Sequence, residues 1–298
     1  MTEPAWSKAP PKKILLATDM SSRCDRALDK SVELAGRWNA RLHVLHVLER
    51  EPAWEPTEIN DVPSWRRGPD RERIVEEQIR RDVGEAIGSF KVHIEEGDAA
   101  AAIERVARDQ GCELIVTGVA RDETLGRYFL GTTVNKIVRR TPVPTLVVKR
   151  RARPYSRMVV ATDFSDSSLH ALNVAAAFFP DVPLTLLHGF EISFSGFLDR
   201  SDFRDHLRAI ENEATTDFLA RSSLTEEQRR RVTVLVEHGA PEAMIQAYMR
   251  DKDVPLVVLG TQGRSAAFDI LIGSVARRIL ESAPGDVLLV REPKAVKA

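Results

Sequence analysis

The residues whose types and spacing best suit chemistry lie in one loop. Gly260-Thr261-Gln262-Gly263 is followed, nine residues later, by Gly273-Ser274, giving the spacing G-x2-G-x9-G-S. Glycines tolerate torsions closed to other residues and let a ligand come close to the backbone. Gly273-Ser274 stands where a helical pattern begins, with Val275 next in its first turn. A helix start presents unpaired N–H groups and a partial positive charge, and a serine hydroxyl adds a donor. Together these suit an oligophosphate. The same residues also suit a plainer role, with Gly260 as a strand exit and Gly273-Ser274 as an ordinary N-cap. Residue types alone leave both readings open.

The elements that would position this loop are written twice in the chain. Lys13–Ser21 reads KILLATDMS and Arg157–Ser165 reads RMVVATDFS. Leu45-His46 returns as Leu187-His188, Glu96-Gly97 as His238-Gly239, and Leu114–Gly118 as Leu256–Gly260. Gly131-Thr132 answers to Gly273-Ser274, and Pro142 to Pro284. A near-constant offset of about 142 residues is too long for a solenoid and marks a duplicated domain. The expected division is 1–150 and 151–298. The seam falls in Lys149–Ser156, KRRARPYS, read as a basic, exposed linker.

Each copy alternates short apolar runs with longer helical patterns. In the first, strands are expected at 13–18, 42–48, 90–94, 113–117 and 143–148, with helices at 23–37, 71–87, 99–110 and 132–140. In the second, strands are expected at 158–161, 183–187, 232–236, 256–259 and 287–290, with helices at 168–178, 200–220, 241–250 and 274–282. The order implies parallel strands joined by right-handed helical crossovers. Runs such as ELIVTG and PLVVLG suit strands covered on both faces. The fold class is therefore α/β, two tandem doubly wound five-stranded parallel sheets. Ligands of such sheets sit beyond the carboxyl ends of the strands, where the strand order reverses.

With these motifs the chain resembles tandem members of the universal stress protein family. The ATP-binding branch of that family carries G-x2-G-x9-G-[ST] between its fourth strand and fourth helix, and the second copy matches every position. The resemblance runs from about Lys12 to Glu292. It implies a Rossmann-like fold of the adenine nucleotide alpha hydrolase type. It also implies an aspartate after the first strand, here Asp163 in Ala161-Thr162-Asp163-Phe164-Ser165. A carboxylate there suits hydrogen bonds from ribose or adenine, or equally a cap on the following helix. The family's adenine pocket uses backbone at the end of the second strand, which corresponds to His188-Gly189. The implied contact set is Ala161, Thr162, Asp163, Gly189, Gly260, Gly263, Gly273, Ser274 and Val275. The implied ligand is ATP, with a divalent cation such as magnesium.

The first copy departs from the motif. It reads Gly118-Val-Ala-Arg121, then nine residues, then Gly131-Thr132, so Arg121 replaces the second glycine. Arg121 would fill the site, or it would pair with a phosphate; the first is the expectation here. Asp19, Val47, Gly118, Gly131 and Thr132 retain the rest of a pocket.

Composition and the remaining motifs narrow the field. Forty-three Lys and Arg against 44 Asp and Glu give a net charge of −1, which makes no electrostatic case for nucleic acid. Cys24 and Cys112 form neither a disulfide framework nor a thiolate zinc site. No secretory start and no membrane-length apolar run is evident, so a cytoplasmic location is expected. There is no GxxxxGK[ST], HExxH or GxSxG. His43 and His46 are three apart on a strand and cannot clamp one metal. His46 and His188 are equivalent, which suggests a structural or pocket-lining role. The loop Glu49–Pro69 carries Trp54 and Trp65, either as a contact surface or folded back on its own core.

The expectation is nucleotide-dependent regulation or stress response, with no general base poised for catalysis. The alternatives are a slow ATPase or phosphotransferase, and a nucleotide-independent interaction protein. The apolar last strands, VPTLVV and VLLV, are expected to pair the two copies as an intramolecular pseudo-dimer. A homodimer of the whole chain is left open.

Overall fold

Lys13–Thr18 (β1) and Arg41–Leu48 (β2) are apolar runs that pair in parallel, Lys13 opposite Arg41 through Thr18 opposite His46. Between them, Asp25–Trp38 (α1) buries Ala27, Leu34, Ala35 and Trp38 along one stripe and stops at Asn39, whose φ of 51° is left-handed. The computed structural model describes residues 9–21, 24–48, 71–84, 90–121, 128–129, 132–190, 213–262 and 272–292. The first copy continues with Arg71–Val83 (α2), Phe90–Glu96 (β3), Ala99–Gln110 (α3), Leu114–Gly118 (β4), the two-residue strands Ala120–Arg121 (β5) and Tyr128–Phe129 (β6), Thr132–Arg140 (α4) and Thr145–Val148 (β7). The second comprises Met158–Ala161 (β8), Asp166–Phe178 (α5), Leu184–Phe190 (β9), a helix over 213–221 (α6), Glu226–Arg231 (α7), Thr233–His238 (β10), Pro241–Asp251 (α8), Leu256–Gly260 (β11), Ser274–Ser282 (α9) and Asp286–Val290 (β12).

All but the β5–β6 hairpin join one ten-stranded sheet, in the order β10-β9-β8-β11-β12-β7-β4-β1-β2-β3. Each copy is a parallel five-stranded unit whose strand order reverses at its first strand. The copies meet where β12 pairs antiparallel with β7, Val287 opposite Val147 and Leu289 opposite Thr145. The expected pairing of last strands is therefore present. It turns two sheets into one and removes two apolar edges that would otherwise invite association.

Alternation along the strands feeds both faces. Ile14 and Leu16 point to the side holding α1 and α5, while Leu15 and Ala17 face the side holding α3. The seam is covered on each side by residues of both copies. On one side Trp38 meets Phe178 edge-on at 5.9 Å and Phe179 at a tilt at 5.4 Å, and Tyr155 meets Phe179 edge-on at 5.4 Å. On the other, Val134, Val138 and Val147 pack with Ile272, Ala276, Ile279 and Leu280.

Four sequence expectations change. The linker Lys149–Ser156 is not uniformly exposed: Lys149 and Tyr155 are buried, because Asp286 of β12 collects hydrogen bonds from both. Helix α2 ends at Val83 rather than Ile87, and 85–89 lie outside the described residues. Helix α7 was not expected; it buries no residue, so it leaves no apolar period, yet Thr225 and Gln228 cap it reciprocally. The β5–β6 hairpin interrupts what read as loop. The Trp54 and Trp65 segment and most of the expected 200–220 helix lie outside the described residues.

Candidate functional site

The crevice expected from strand order lies between the carboxyl ends of β8 and β11, which run parallel, Met158 opposite Leu256. Ala161 closes β8, and Thr162 and Asp163 follow. The Thr162 hydroxyl accepts from Phe164 N at 2.9 Å and Asp163 Oδ1 accepts from Ser165 N at 3.1 Å. Phe164 is thereby held at φ 60°, left-handed for a bulky residue. The first copy repeats the device: Thr18 Oγ1 accepts from Met20 N at 3.0 Å, Asp19 Oδ1 accepts from Ser21 N at 2.9 Å, and Met20 has φ 60°. The repeated Ala-Thr-Asp-x-Ser thus encodes a strained turn at the mouth of each crevice. Asp163 does not cap the next helix: Ser165 does, accepting from Ser168 N at 3.3 Å. Partial desolvation opposes the charge of Asp19, but hydrogen bonds, chiefly from Ser21 with Cys24 adding to them, outweigh it and hold the carboxyl below its ordinary value.

The equivalent histidines do equivalent work. Nδ1 of His188 bonds the Thr162 carbonyl at 2.7 Å and Nδ1 of His46 bonds that of Thr18 at 3.0 Å. Each ties the end of a second strand to the aspartate turn.

Three glycines of the second copy have different physical reasons. At Gly189 a Cβ would lie 2.9 Å from Pro241 Cα, so the start of α8 requires the glycine. At Gly260 a Cβ would lie 2.7 Å from Ser167 Oγ and 2.9 Å from its backbone, so the first turn of α5 requires it. At Gly273 the nearest neighbour of a Cβ is Thr261 O at 3.8 Å, an ordinary contact, and φ is −54°. Neither packing nor torsion within the described residues demands glycine there.

Gly273 is the N-cap of α9 and offers no side-chain bond to the helix start. Its own N–H donates to Thr261 O at 2.9 Å, and Thr261 N donates to Val290 O at 3.0 Å, so the cap is pinned to the ends of β11 and β12. The amides of Ser274, Val275 and Ala276 open the helix without intrahelical acceptors. Ser274 is exposed and Val275 half-buried. This corner is an anion-favouring helix terminus; Asp163, half-buried, follows the neighbouring strand β8. Gly263 lies outside the described residues.

In the first copy, Gly118 ends β4, Asp19 is exposed and Val47 is half-buried, opposite Glu95. Arg121 pairs with Tyr128 in the hairpin, and Thr132 opens α4. The side chains of Arg121 and Thr132, and the whole of Gly131, lie outside the described residues. Neither cysteine is primed as a nucleophile, since burial raises Cys24 to about 11 and Cys112 to about 12. Among the described residues no three His, Cys, Asp or Glu side chains gather as a metal-binding group. No helix there is long and apolar enough to cross a membrane.

Comparison with known proteins accords with the duplication. The model of the universal stress protein family matches residues 10–149 and again 154–291. A universal stress protein of Mycolicibacterium smegmatis is 25% identical over 300 residues, covering 93% of this chain and 96% of the relative. One from Methanocaldococcus jannaschii is 28% identical over 153 residues, 50% of this chain and 89% of the relative. Among solved structures, a universal stress protein from Archaeoglobus fulgidus superposes with TM-score 0.65 at 18% identity, covering 95% of this chain and 99% of that one. A putative universal stress protein from Pseudomonas aeruginosa gives 0.68 at 20% identity, covering 96% and 95%. At these identities the solved structures speak to fold alone.

Proposed function

Because the chain belongs to the universal stress protein family, we propose that its second copy binds an adenine nucleotide, ATP with a divalent ion, and that occupancy serves regulation or stress response. One observation carries the reading. Gly273 caps α9 with no side-chain bond, and nothing among the described residues requires it to be glycine, in the loop whose spacing suits phosphates. A ligand approaching the backbone supplies the missing reason. The phosphates would meet the amides of Ser274 and Val275, the Ser274 hydroxyl and the Gly263 backbone. The nucleoside would lie toward Ala161, Thr162, Asp163 and Gly189, with Gly260 shaping the floor. Magnesium ordinarily binds phosphate oxygens with one or two carboxylates and several waters, so it would arrive with the triphosphate.

Hydrolysis is expected to be slow, because no residue set in the sequence reads as a general base poised to activate water. Turnover of roughly 1 per second or faster, the ordinary enzyme range, would instead favour an ATPase or phosphotransferase.

The test is Gly273→Val. The added Cβ makes only an ordinary contact within the described protein, and the valine methyls would stand where a phosphate would meet the backbone. Calorimetry should show ATP binding in the wild type and its loss in the variant, with an unchanged circular dichroism spectrum. Equal affinity in both would remove the assignment.

A further inference from the structure

Lys149 follows β7 of the first copy, yet its ammonium serves the second. It is 1% exposed, and Nζ donates to Leu280 O at 2.5 Å, in the last turn of α9, and to Ala283 O at 3.0 Å, the residue that caps it. Its backbone is also held. Lys149 N and Arg150 N donate to Asp286 Oδ1 at 2.8 and 2.9 Å, and Arg26 of α1 donates to Lys149 O at 2.7 Å. Tyr155 Oη donates to the other Asp286 oxygen at 2.7 Å. The pseudo-symmetric residue, Arg291 after β12, donates to Arg139 O near the end of α4. Each copy's last helix is thus held at its carboxyl end by the cation that follows the other copy's last strand.

Helix α9 is the one whose first turn carries Ser274 and Val275. At nine residues it is about 13 Å long. Ile272, Ala276, Ile279 and Leu280 seat it against Val134, Val138 and Val147 of the first copy. A short, packed helix moves as a body, so what fixes its last turn also fixes its first. A cation at the carboxyl end further complements the helix dipole.

We propose that Lys149 is a positioning residue for the phosphate helix of the second copy, so that the first copy sets the affinity of its neighbour's nucleotide site. The proposal rests on the nucleotide reading above. Burial lowers the Lys149 ammonium to about 7, against the opposing charges of Asp286 on β12 and Glu281 on α9. Among the described residues, Arg26 on α1 bonds the Lys149 carbonyl, Arg150 and Tyr155 in the linker share Asp286 with its backbone, and Lys30 on α1 lies over the Tyr155 ring. Lys149 therefore changes charge near neutrality, which an arginine in its place would not do.

The test is calorimetric titration of ATP and magnesium into the full chain at pH 6, 7 and 8.5, for wild type, Lys149→Met and Lys149→Arg. Asp286 keeps three donors in the Met variant, so the fold should stand, checked by circular dichroism and melting. At pH 6 the Met variant should bind about threefold to tenfold more weakly. The ratio of variant to wild-type dissociation constants cancels the nucleotide's own titration. That ratio should fall by pH 8.5, as the wild-type lysine loses its charge, yet stay above one, because the neutral amine still donates to Leu280 O and Ala283 O. Lys149→Arg keeps its charge, so its affinity relative to wild type should rise over the same range. That comparison decides the matter if the Met variant does not fold. A Met ratio of one at pH 6, or ratios that do not change with pH, would overturn the proposal while leaving the site intact. A wild type that binds no ATP at any pH would remove the nucleotide reading itself, and this proposal with it.

Discussion

Gly260 and Gly273 belong to the same spacing motif but answer to different forces. A methyl at Gly260 would be driven into the backbone of Ser167, so Gly260→Ala should cost roughly 1–3 kcal/mol of stability. Gly273→Ala meets only an ordinary contact at 3.8 Å and should leave the melting temperature nearly unchanged. Paired thermal melts check both; equal losses would mean that the contrast drawn from Cβ space is wrong. Arg121 poses the corresponding question in the first copy. If its side chain fills that crevice, Arg121→Gly restores the glycine spacing, and titration should move from about one nucleotide per chain to about two. The deleted charge opposes this by about 1 kcal/mol or less at an exposed site. A wild type that already binds two, one of them weakened by Arg121→Gly, would make Arg121 a phosphate ligand. The glycine motif was legible in the sequence, but its division of labour was not. One residue type serves packing at 260 and backbone access at 273, and only the neighbours tell them apart. The Asp163 turn was legible as a repeated string, while the cap on α5 fell to Ser165.

Among the elements, β2 and β3 carry a feature with a pH signature. His43 Nδ1 lies 3.0 Å from His93 Nε2, the rings are stacked, and His43 is 1% exposed. Burial first, then His93 and the cations Lys13, Lys91 and Arg41, lowers His43 to about 4. The unfolded chain therefore binds more protons between pH 4 and the ordinary value of 6.5. The stabilisation is full above pH 6.5 and is lost as pH falls through 4, on the order of 3 kcal/mol. Denaturant melts from pH 7 to 4 should show this decline, and His43→Leu should flatten it; an unchanged slope in the variant would assign the acid sensitivity elsewhere. The strands were readable because continuous apolar runs covered on both faces leave little choice. Helix α7 was not, because EEQRRR buries nothing; its Thr225-x-x-Gln228 cap was the available signal. Two-residue strands such as β5 and β6 are too short to leave any period.

At the scale of the whole molecule, duplication places in one chain both halves of an antiparallel seam. The apolar strands foretold that pairing. The buried Lys149, Asp286 and Tyr155 cluster was not foretold, because its members lie 137 and 131 positions apart and read locally as a polar linker. Leu288 sits in the middle of the seam opposite Leu146 and is 1% exposed. Leu288→Asp should destabilise the chain by at least about 3 kcal/mol, since it buries a charge without a partner. A melt within a few degrees of wild type would mean that the seam contributes little. The central claim is that this frame holds one adenine nucleotide, in its second copy. Its most direct test is the number of ATP molecules bound per chain at saturation, read by titration calorimetry on wild type and Gly273→Val under identical conditions. The wild type should bind about one and the variant none. One nucleotide bound equally well by both proteins would contradict it.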